Sequence, residues 1–418
     1  MSSSEFTLRL ATEPVAHAAF QLTLEQIARA GARRALQQAV EDEVAEYVDA
    51  HRDQRDAAGR RMVVRNGHKD PRTVLSGVGP IEVKQPRVDD RRVDEHGVRF
   101  RFTSKILPPY LRKTKSIEDL VPWLYLKGIS TSEMGDALVH LGFDGSGLSA
   151  TSVTRMTESW QGEYGDWNER SLSGKRYVYL WADGIHFGCR LTDDRPCVLV
   201  LMGATADGTK ELIAIRDGQR ESEASWTALL LGLKDRGLTV APKLATGDGS
   251  LGFWLALAKV FPATKQQRCW VHKTMNVLDK LPKGQQPAAK AMLHEVWMAA
   301  TRADATKAFD RFVATYGVKW PRAAECLEKD RAELLAFYDF PAEHWQHLRT
   351  SNPLESTLAT VRLRTYRTKG PGSRAAGLAM AFKLAEKAQR GWRKLNGSGK
   401  LQELVDGIVF VDGERKAA

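Results

Sequence analysis

The apolar positions change period several times along the chain. Thr23 and Gln26 stand at capping-box spacing, and Ile27, Leu36, Val40, Val44, Tyr47 and Val48 then recur on one stripe, which predicts a helix to about Ala50. Its task is packing, or pairing with another chain. From about Arg52 to Arg112 the pattern shortens to runs broken by Gly and Pro: Met62–Val64, Arg72–Leu75, Ile81–Val83 and Val98–Phe102 predict strands, with a donor-rich turn at Arg-Asn-Gly-His, 65–68. This is either a small basic β module that tracks a phosphate backbone or a solvated connector. Ser116 opens a helical segment with Leu120, Trp123, Leu124 and Leu126, in which Pro122 marks a kink or the first turn. Ser130 to Glu133 is a second capping box ahead of Met134, Leu138 and Leu141, a Gly-rich turn runs from Gly142 to Gly147, and Ser149 caps a helix carrying Ser152, Thr154 and Arg155 on its first turns. Two short capped helices joined by a tight turn fit a helix-turn-helix that reads a major groove, although such pairs also occur without DNA.

Lys175 to Trp270 is the most regular part. Tyr-Val-Tyr-Leu-Trp-Ala-Asp, 177–183, predicts a buried strand that delivers a carboxylate at its end; the bland alternative is that Asp183 opens a turn with Gly184. Further strands are expected at Cys197–Met202, Glu211–Ile215, Lys243–Thr246 and near Gln267–Val271, with helices around Trp226–Leu233 and Phe253–Val260. The order β-β-β-α-β-α-β is that of a ribonuclease-H-like core, three strands paired by short connections and then crossover units. From Lys273 to about Trp345 the pattern is helical only, bounded by Pro282, Pro321 and Pro341, and a last helix runs from about Ala375 to Trp392. The fold class expected is therefore α/β: a ribonuclease-H-like catalytic core interrupted by an all-helical insertion, with N-terminal helical and helix-turn-helix modules.

Length and charge sharpen this. A chain of 418 residues exceeds one ordinary core. Of its net charge of +11, the stretch from His51 to Ser116 carries 17 Lys/Arg against 8 Asp/Glu and that from Arg349 to Lys400 carries 12 against 2, so the rest is net negative. Charge polarised in this way points to a polyanion partner such as nucleic acid. No apolar run reaches the ~18 residues of a membrane span and the first residues lack the pattern of a signal peptide, so a cytoplasmic, nucleoid-associated protein with no membrane partner is expected. Cys189, Cys197, Cys269 and Cys326 are too few and too scattered for a disulfide framework.

Three acids stand at the ends of these elements: Asp183 at the first strand, Asp248 after the fourth, and Glu355 opening a helix behind the all-helical stretch. In a ribonuclease-H-like sheet the first and fourth strands are neighbours, so the two aspartates would meet. Three carboxylates converging there repel, and one takes up a proton unless a cation is present. Two divalent cations ~3.5–4 Å apart would clamp the attacking and leaving oxygens of an in-line phosphoryl displacement, and oxygen-only ligands favour Mg²⁺ or Mn²⁺. At Glu355 a structural alternative exists, with Asn352 as the helix cap, Pro353 at its first position and Glu355 as a capping-box carboxylate.

Four blocks carry a resemblance. Tyr-Leu-Trp-Ala-Asp-Gly-Ile-His (179–186), Thr-Gly-Asp-Gly-Ser-Leu-Gly-Phe-Trp (246–254), Gln-Arg-Cys-Trp-Val-His-Lys (267–273) with Asn276, and Arg-Thr-Ser-Asn-Pro-Leu-Glu-Ser-Thr-Leu-Ala-Thr-Val-Arg-Leu-Arg-Thr (349–365) resemble the signature blocks of mutator-type transposases of bacterial insertion sequences. The resemblance implies a DDE transposase that binds terminal inverted repeats, cleaves at the element ends and joins 3′-hydroxyls to target DNA, as a homodimer or larger on DNA. It carries the acidic triad onto Asp183, Asp248 and Glu355, and a Cys-x-x-His motif onto Cys269 and His272. A closed zinc site wants four protein ligands and no second pair sits nearby at ligand spacing, so Cys269 and His272 read as a fixed structural or DNA-contacting pair. Ser152, Arg155, Arg349, Arg362, Arg364, Arg367 and Lys369 are the expected DNA contacts, and a solvated basic face is the alternative for those flanking Glu355. Trp297 and Trp320 would pack in a core or stack on an unpaired base. The expected domains are 1–112, N-terminal helix and basic β-like region; 113–172, helix-turn-helix; 173–272, first part of the core; 273–347, helical insertion; 348–396, last part of the core; and 397–418, tail. A regulator that has lost catalysis and a nuclease that cuts without joining remain as alternatives.

Overall fold

The computed structural model describes residues 23–127, 129, 133–140, 150–186, 197–218, 220–367 and 373–416. Its backbone divides into two compact units, Met1–Val153 and Thr154–Ala418.

In the first unit α1 (Leu24–Asp49) starts where the sequence places it. Thr23 Oγ1 accepts from the Gln26 N–H at 3.3 Å while Gln26 Oε1 accepts from the Thr23 N–H at 2.8 Å, closing the capping box. Four short strands follow, β1 (Val63–His68), β2 (Arg72–Ser76), β3 (Gly79–Val83) and β4 (Pro86–Asp90), paired as β1 with β4 and β2 with β3. Val40 and Val44 of α1 are buried, and Val40 clusters with Val74, Ile81, Val83 and Leu107.

Three local expectations need correction here. Residues 65–68 are not a turn: they finish β1, whose register slips between Arg65 and His68, and Glu41 takes up both donors, Arg65 Nη2 at 2.6 Å and His68 Nε2 at 2.9 Å. Val98–Phe102 is not a strand. It holds one bridge, Arg99 to Val93, while Phe100 lies under the Arg92 guanidinium and Phe102 against Tyr47. The fourth strand is β4, which the sequence hid behind Pro86 and two aspartates. A two-stranded ribbon has an open edge where a proline N–H is not missed, and Asp90 is buried against Arg92 and Tyr47. Two helices, α2 (Lys115–Lys127) and α3 (Met134–His140), complete the unit; Pro122 lies inside α2 as its eighth residue and does not mark its first turn. The expected capping box at 130–133, the turn at 142–147 and the Ser149 cap lie wholly or partly outside the described residues.

The second unit takes α4 (Ala150–Glu169) from Thr154 onward. Its sheet contains β5 (Tyr177–His186), β6 (Cys197–Thr205), β7 (Lys210–Gly218), β8 (Leu244–Gly247) and β9 (Lys265–Arg268), in the order β7-β6-β5-β8-β9. The first three are antiparallel, whereas β8 and β9 run parallel to β5. Parallel neighbours need crossovers, and α5 (Glu223–Asp235) and α6 (Leu251–Val260) supply them. Both pack on one face: Leu180, Ala182, Leu199 and Leu201 of the sheet cluster with Trp226, Leu229, Leu233, Phe253 and Leu257. Burial on both faces explains why β5 and β6 read as unbroken apolar runs.

Behind β9 the described chain is helical to Arg367: α7 (Trp270–Leu278), α8 (Gln286–Met298), α9 (Arg302–Gly317), α10 (Pro321–Glu328), α11 (Arg331–Leu334), α12 (Trp345–Leu348) and α13 (Asn352–Arg367), with 3₁₀ turns between. Lys273 ties this stretch to its root, since its buried ammonium bonds Asp330 and the Cys326 carbonyl. Helices α14 (Arg374–Gln389) and α15 (Gly399–Val405) follow. No helix among the described residues is long and apolar enough to cross a membrane.

Candidate active site

Asp183 and Asp248 leave neighbouring strands together. The parallel pairing of β5 with β8 ends at Ala182 opposite Gly247, and the two aspartates are the next residues on each strand. On its other side β5 stays paired to β6 as far as His186, so Asp183 lies inside the strand and neither ends it nor opens a turn. The cause is unequal length: β8 has four residues and stops at the Gly247-Asp248-Gly249 bend, while β6 has nine.

Strand alternation sends Tyr179, Trp181 and Asp183 to the face opposite α5 and α6. There Tyr179 Oη meets His344 Nδ1 at 2.7 Å and Trp181 Nε1 donates to the His347 carbonyl at 2.9 Å. Asp183 is 6% exposed; its Oδ1 accepts from the Gly184 N–H at 2.9 Å, while its Oδ2 is buried with no hydrogen-bond partner. The Arg362 guanidinium on α13 stands 3.6 Å from that oxygen, and is itself half-exposed. Burial pushes the Asp183 carboxyl up to about 6, with Arg362 opposing and the Asp248 charge adding to the rise. Asp248 is held at its bend: Oδ1 accepts from the Ser250 N–H at 2.8 Å, and its carbonyl accepts from Arg268 Nη1 at 2.7 Å and Trp254 Nε1 at 3.0 Å.

Glu355 enters from α13, which packs on β5. The helix opens at Asn352 and not one residue later, so Asn352 is not its cap and Glu355 is the fourth helical residue, one past the capping-box position. Its partner is Ser351, whose hydroxyl donates to Glu355 Oε1 at 2.6 Å. Ser351 is fully buried and also reaches Cys269, with its N–H 3.3 Å and its Oγ 3.2 Å from Sγ. His272 Nδ1 lies 3.4 Å from Ser351 Oγ and 3.6 Å from Glu355 Oε1. Its pKa is pushed up to about 9, first by the hydrogen bond to Cys269 and then by the Cys269, Glu355 and Asp248 charges, against desolvation. Burial by itself would raise the Cys269 thiol, but hydrogen bonds from His272 and Ser351 outweigh it and hold the thiol below its usual range. The result is a hydrogen-bonded thiol–imidazole pair braced against Glu355. One ligand atom from each of Cys269, His272 and Glu355 falls within 4.8 Å of the others.

The other expected residues are spread out. Arg349 lies among the rings of Phe337, Trp345 and Trp297, at 4.9, 5.4 and 5.8 Å, which gives Trp297 an intramolecular partner. Trp320 is half-buried against Tyr316. Arg364, two residues from Arg362, turns inward and is 3% exposed. Arg155 on α4 is exposed, whereas the side chains of Ser152 and Arg367, and all of Lys369, lie outside the described residues. Sequence reasoning missed Ser351 and Arg268. Ser351 stands four residues before Glu355, one helical turn, and that spacing was the available signal.

The family model described as "Transposase, Mutator family" matches residues 3–393. The transposase for insertion sequence element IS6120 of Mycolicibacterium smegmatis is 51% identical over 71% of this chain and 92% of its own length. The transposase for insertion sequence element IST2 of Acidithiobacillus ferrooxidans is 50% identical over 67% of this chain and 95% of its own. Among solved structures, a Drosophila P element transposase strand transfer complex aligns with 70% of this chain and 85% of that one at 11% identity, with a TM-score of 0.28, too weak a likeness to carry anything further.

Proposed function

Since the chain belongs to the Mutator family of transposases, we propose that its acid set is Asp183, Asp248 and Glu355, mounted on a ribonuclease-H-like core that the helices from α7 to α12 interrupt. It is a transposase of the insertion-sequence kind, an enzyme of DNA cleavage and strand transfer. The observation that carries the site is the end of the β5–β8 pairing one residue before each aspartate, together with a buried Asp183 oxygen that has no hydrogen-bond partner and only the Arg362 charge at 3.6 Å.

That oxygen also tests the fit to divalent cations. A buried carboxylate with one oxygen lacking a hydrogen bond, under the charge of a second acid, is costly as an anion, and an all-oxygen donor set suits Mg²⁺ or Mn²⁺. Asp183 and Asp248 would hold the ions, with Glu355 as the third acid, and such ions supply charge neutralisation at the phosphate and activation of the attacking hydroxyl. The chain's own groups do the rest. The Arg362 guanidinium, half-exposed at the mouth of the site, is placed to meet a phosphate oxygen once Asp183 is otherwise neutralised. The Cys269–His272 pair and Ser351 fix the Glu355 carboxylate, and His272 keeps a positive charge at neutral pH beside the path of the DNA backbone.

Around this centre, 113–172 would act as a helix-turn-helix with Arg155 among its contacts, and 1–112 as a basic module, both on the terminal inverted repeats. Arg349 and the basic flank of α13 would face target or end DNA. Two ends must be held together during transfer, so the working species is a homodimer or larger on DNA.

Asp183→Asn and Asp248→Asn test the reading. Each should abolish cleavage and joining of end DNA in Mg²⁺ while retaining end binding in a gel-shift titration. Cleavage without joined product in the unaltered protein would favour the nuclease alternative, and turnover in excess chelator would refute the metal-dependent mechanism.

A further inference from the structure

A second cluster lies at the same end of the sheet, on the face turned away from Asp183. His186 is the cross-strand partner of Cys197, and Cys197 is in turn the partner of Gly218, so β5, β6 and β7 come into register there. Three residues beyond Gly218, Glu221 returns just ahead of Ser222, the N-cap of α5. Its carboxylate lies over the backbone of Gly184, where a Cβ would stand 2.1 Å from Glu221 Oε1. A glycine in the middle of a buried strand is otherwise unfavourable, and here it makes room for that side chain. His186 Nε2 is 3.3 Å from Glu221 Oε1, and the imidazole, thiol and carboxylate ligand atoms all lie within 4.8 Å of one another.

We propose that His186, Cys197 and Glu221 form an open, three-ligand binding site for one zinc-class ion, separate from the acids Asp183, Asp248 and Glu355. A thiolate, an imidazole and a carboxylate are a borderline-soft set that selects Zn²⁺ or Co²⁺ over Mg²⁺. Tetrahedral zinc with bonds of about 2.0–2.3 Å holds its ligand atoms roughly 3.3–3.8 Å apart. The His186–Glu221 pair already has that spacing, and an exposed His186 is free to close the remaining gap to the thiol. Three protein ligands leave the fourth position to water. A surface ion pair alone would need only His186 and Glu221, and would not call for a buried thiol between them. Burial raises the Cys197 thiol, so the ion must displace its proton to solvent on binding. The bound ion would tie β5, β6 and the entry to α5 together three residues along the strand from Asp183, holding the strand end on which that carboxylate sits.

The test uses the full-length, reduced, chelator-stripped protein titrated with Co²⁺. A thiolate-to-cobalt charge-transfer band is expected, saturating at about one equivalent per chain and displaced by Zn²⁺. It should persist in Cys269→Ser, disappear in Cys197→Ser, and require at least tenfold more Co²⁺ in His186→Asn, an exposed position at the end of β5 whose variant is expected to fold. Absence of the band in the unaltered protein would overturn the proposal, as would a band that follows Cys269. So would unaltered affinity in His186→Asn, and this arm decides even if Cys197→Ser does not fold.

Discussion

At the residue scale, Glu355 is where structural and catalytic readings separate most cleanly. It is not a capping-box residue: it accepts from Ser351 at the helix start and lies beside His272. Glu355→Gln keeps an acceptor for Ser351 and loses only the charge. Its melting temperature should therefore stay close to that of the unaltered protein, because one hydrogen bond is worth about 1 kcal/mol and is mostly retained. End binding should be normal and strand transfer undetectable in a joining assay. Transfer within about tenfold of the unaltered protein would exclude Glu355 as the third acid. Glu343, the next acid in sequence, is engaged by Lys400 at 2.7 Å. Asp183 makes a different prediction. Its folded-state pKa, about 6, is raised above its ordinary 3.8, so its contribution to stability is fully present below pH 3.8 and is lost as pH rises through 6. A shift of about two units corresponds to roughly 3 kcal/mol at most. In chelator, Asp183→Asn should melt higher than the unaltered protein at pH 7.5, and the two should converge near pH 4. Equal melting temperatures at both pH values would contradict the raised pKa of this buried carboxylate.

At the scale of elements, the site depends on how closely α5 and α6 approach. A Cβ at Gly252, on the first turn of α6, would stand 2.3 Å from the Glu221 carbonyl and 2.7 Å from the Glu223 N–H, both backbone atoms that cannot rotate away. Gly252→Ala should cost about 1–3 kcal/mol or more, as overpacking does, and lower the melting temperature measurably. Gly249→Ala, whose added Cβ would meet Asn276 Nδ2 at 3.8 Å, should change stability little. If the two behave alike, the close contact between the start of α6 and the segment leading into α5 is not rigid. The same contact explains why the Asp248 bend is short: β8 has to pass into α6 within three residues, which fixes the carboxylate relative to β5.

At the scale of the whole molecule, positive charge is concentrated at 51–116 and 349–400. If both stretches meet phosphate, end-DNA affinity should fall steeply with salt, with a log–log slope of about −0.9 per neutralised phosphate. Asp183→Asn, expected to be catalytically silent if the proposed acid set is right, allows the slope to be measured without turnover. A salt-independent affinity would rule out backbone contacts as the main source of binding. Mass measured on the protein bound to end DNA should correspond to two or more chains, and a monomeric complex that completed transfer would rule out the paired-end model.

The sequence by itself determined the order of elements in the second unit. Continuous apolar runs made β5 and β6 legible, a period of 3.6 made α5 legible, and Thr23 with Gln26 fixed the first helix to the residue. It also drew attention to Asp183, Asp248 and Glu355, the acids of the proposed site, because acids in or after apolar strands and opening a helix stand out against their surroundings. Local signals of this kind depend on neighbours a few residues apart. The β4 strand was missed because a proline and paired acids look like a loop until Arg92 and Tyr47 arrive to satisfy Asp90, and Val98–Phe102 was misread as a strand because its alternating rings pack on Arg92 and Tyr47, with only one bridge, to Val93. Tertiary structure alone decided that Arg362 faces Asp183 while Arg364 is buried, since two residues on a helix differ by about 200° and the packing of α13 on β5 selects the face. It alone brought Cys269, 82 residues before Ser351, and with it His272 to the Ser351–Glu355 turn, and set His186, Cys197 and Glu221 together on the opposite face. No periodicity encodes such meetings, because strand register and crossover geometry, acting over long separations, create them.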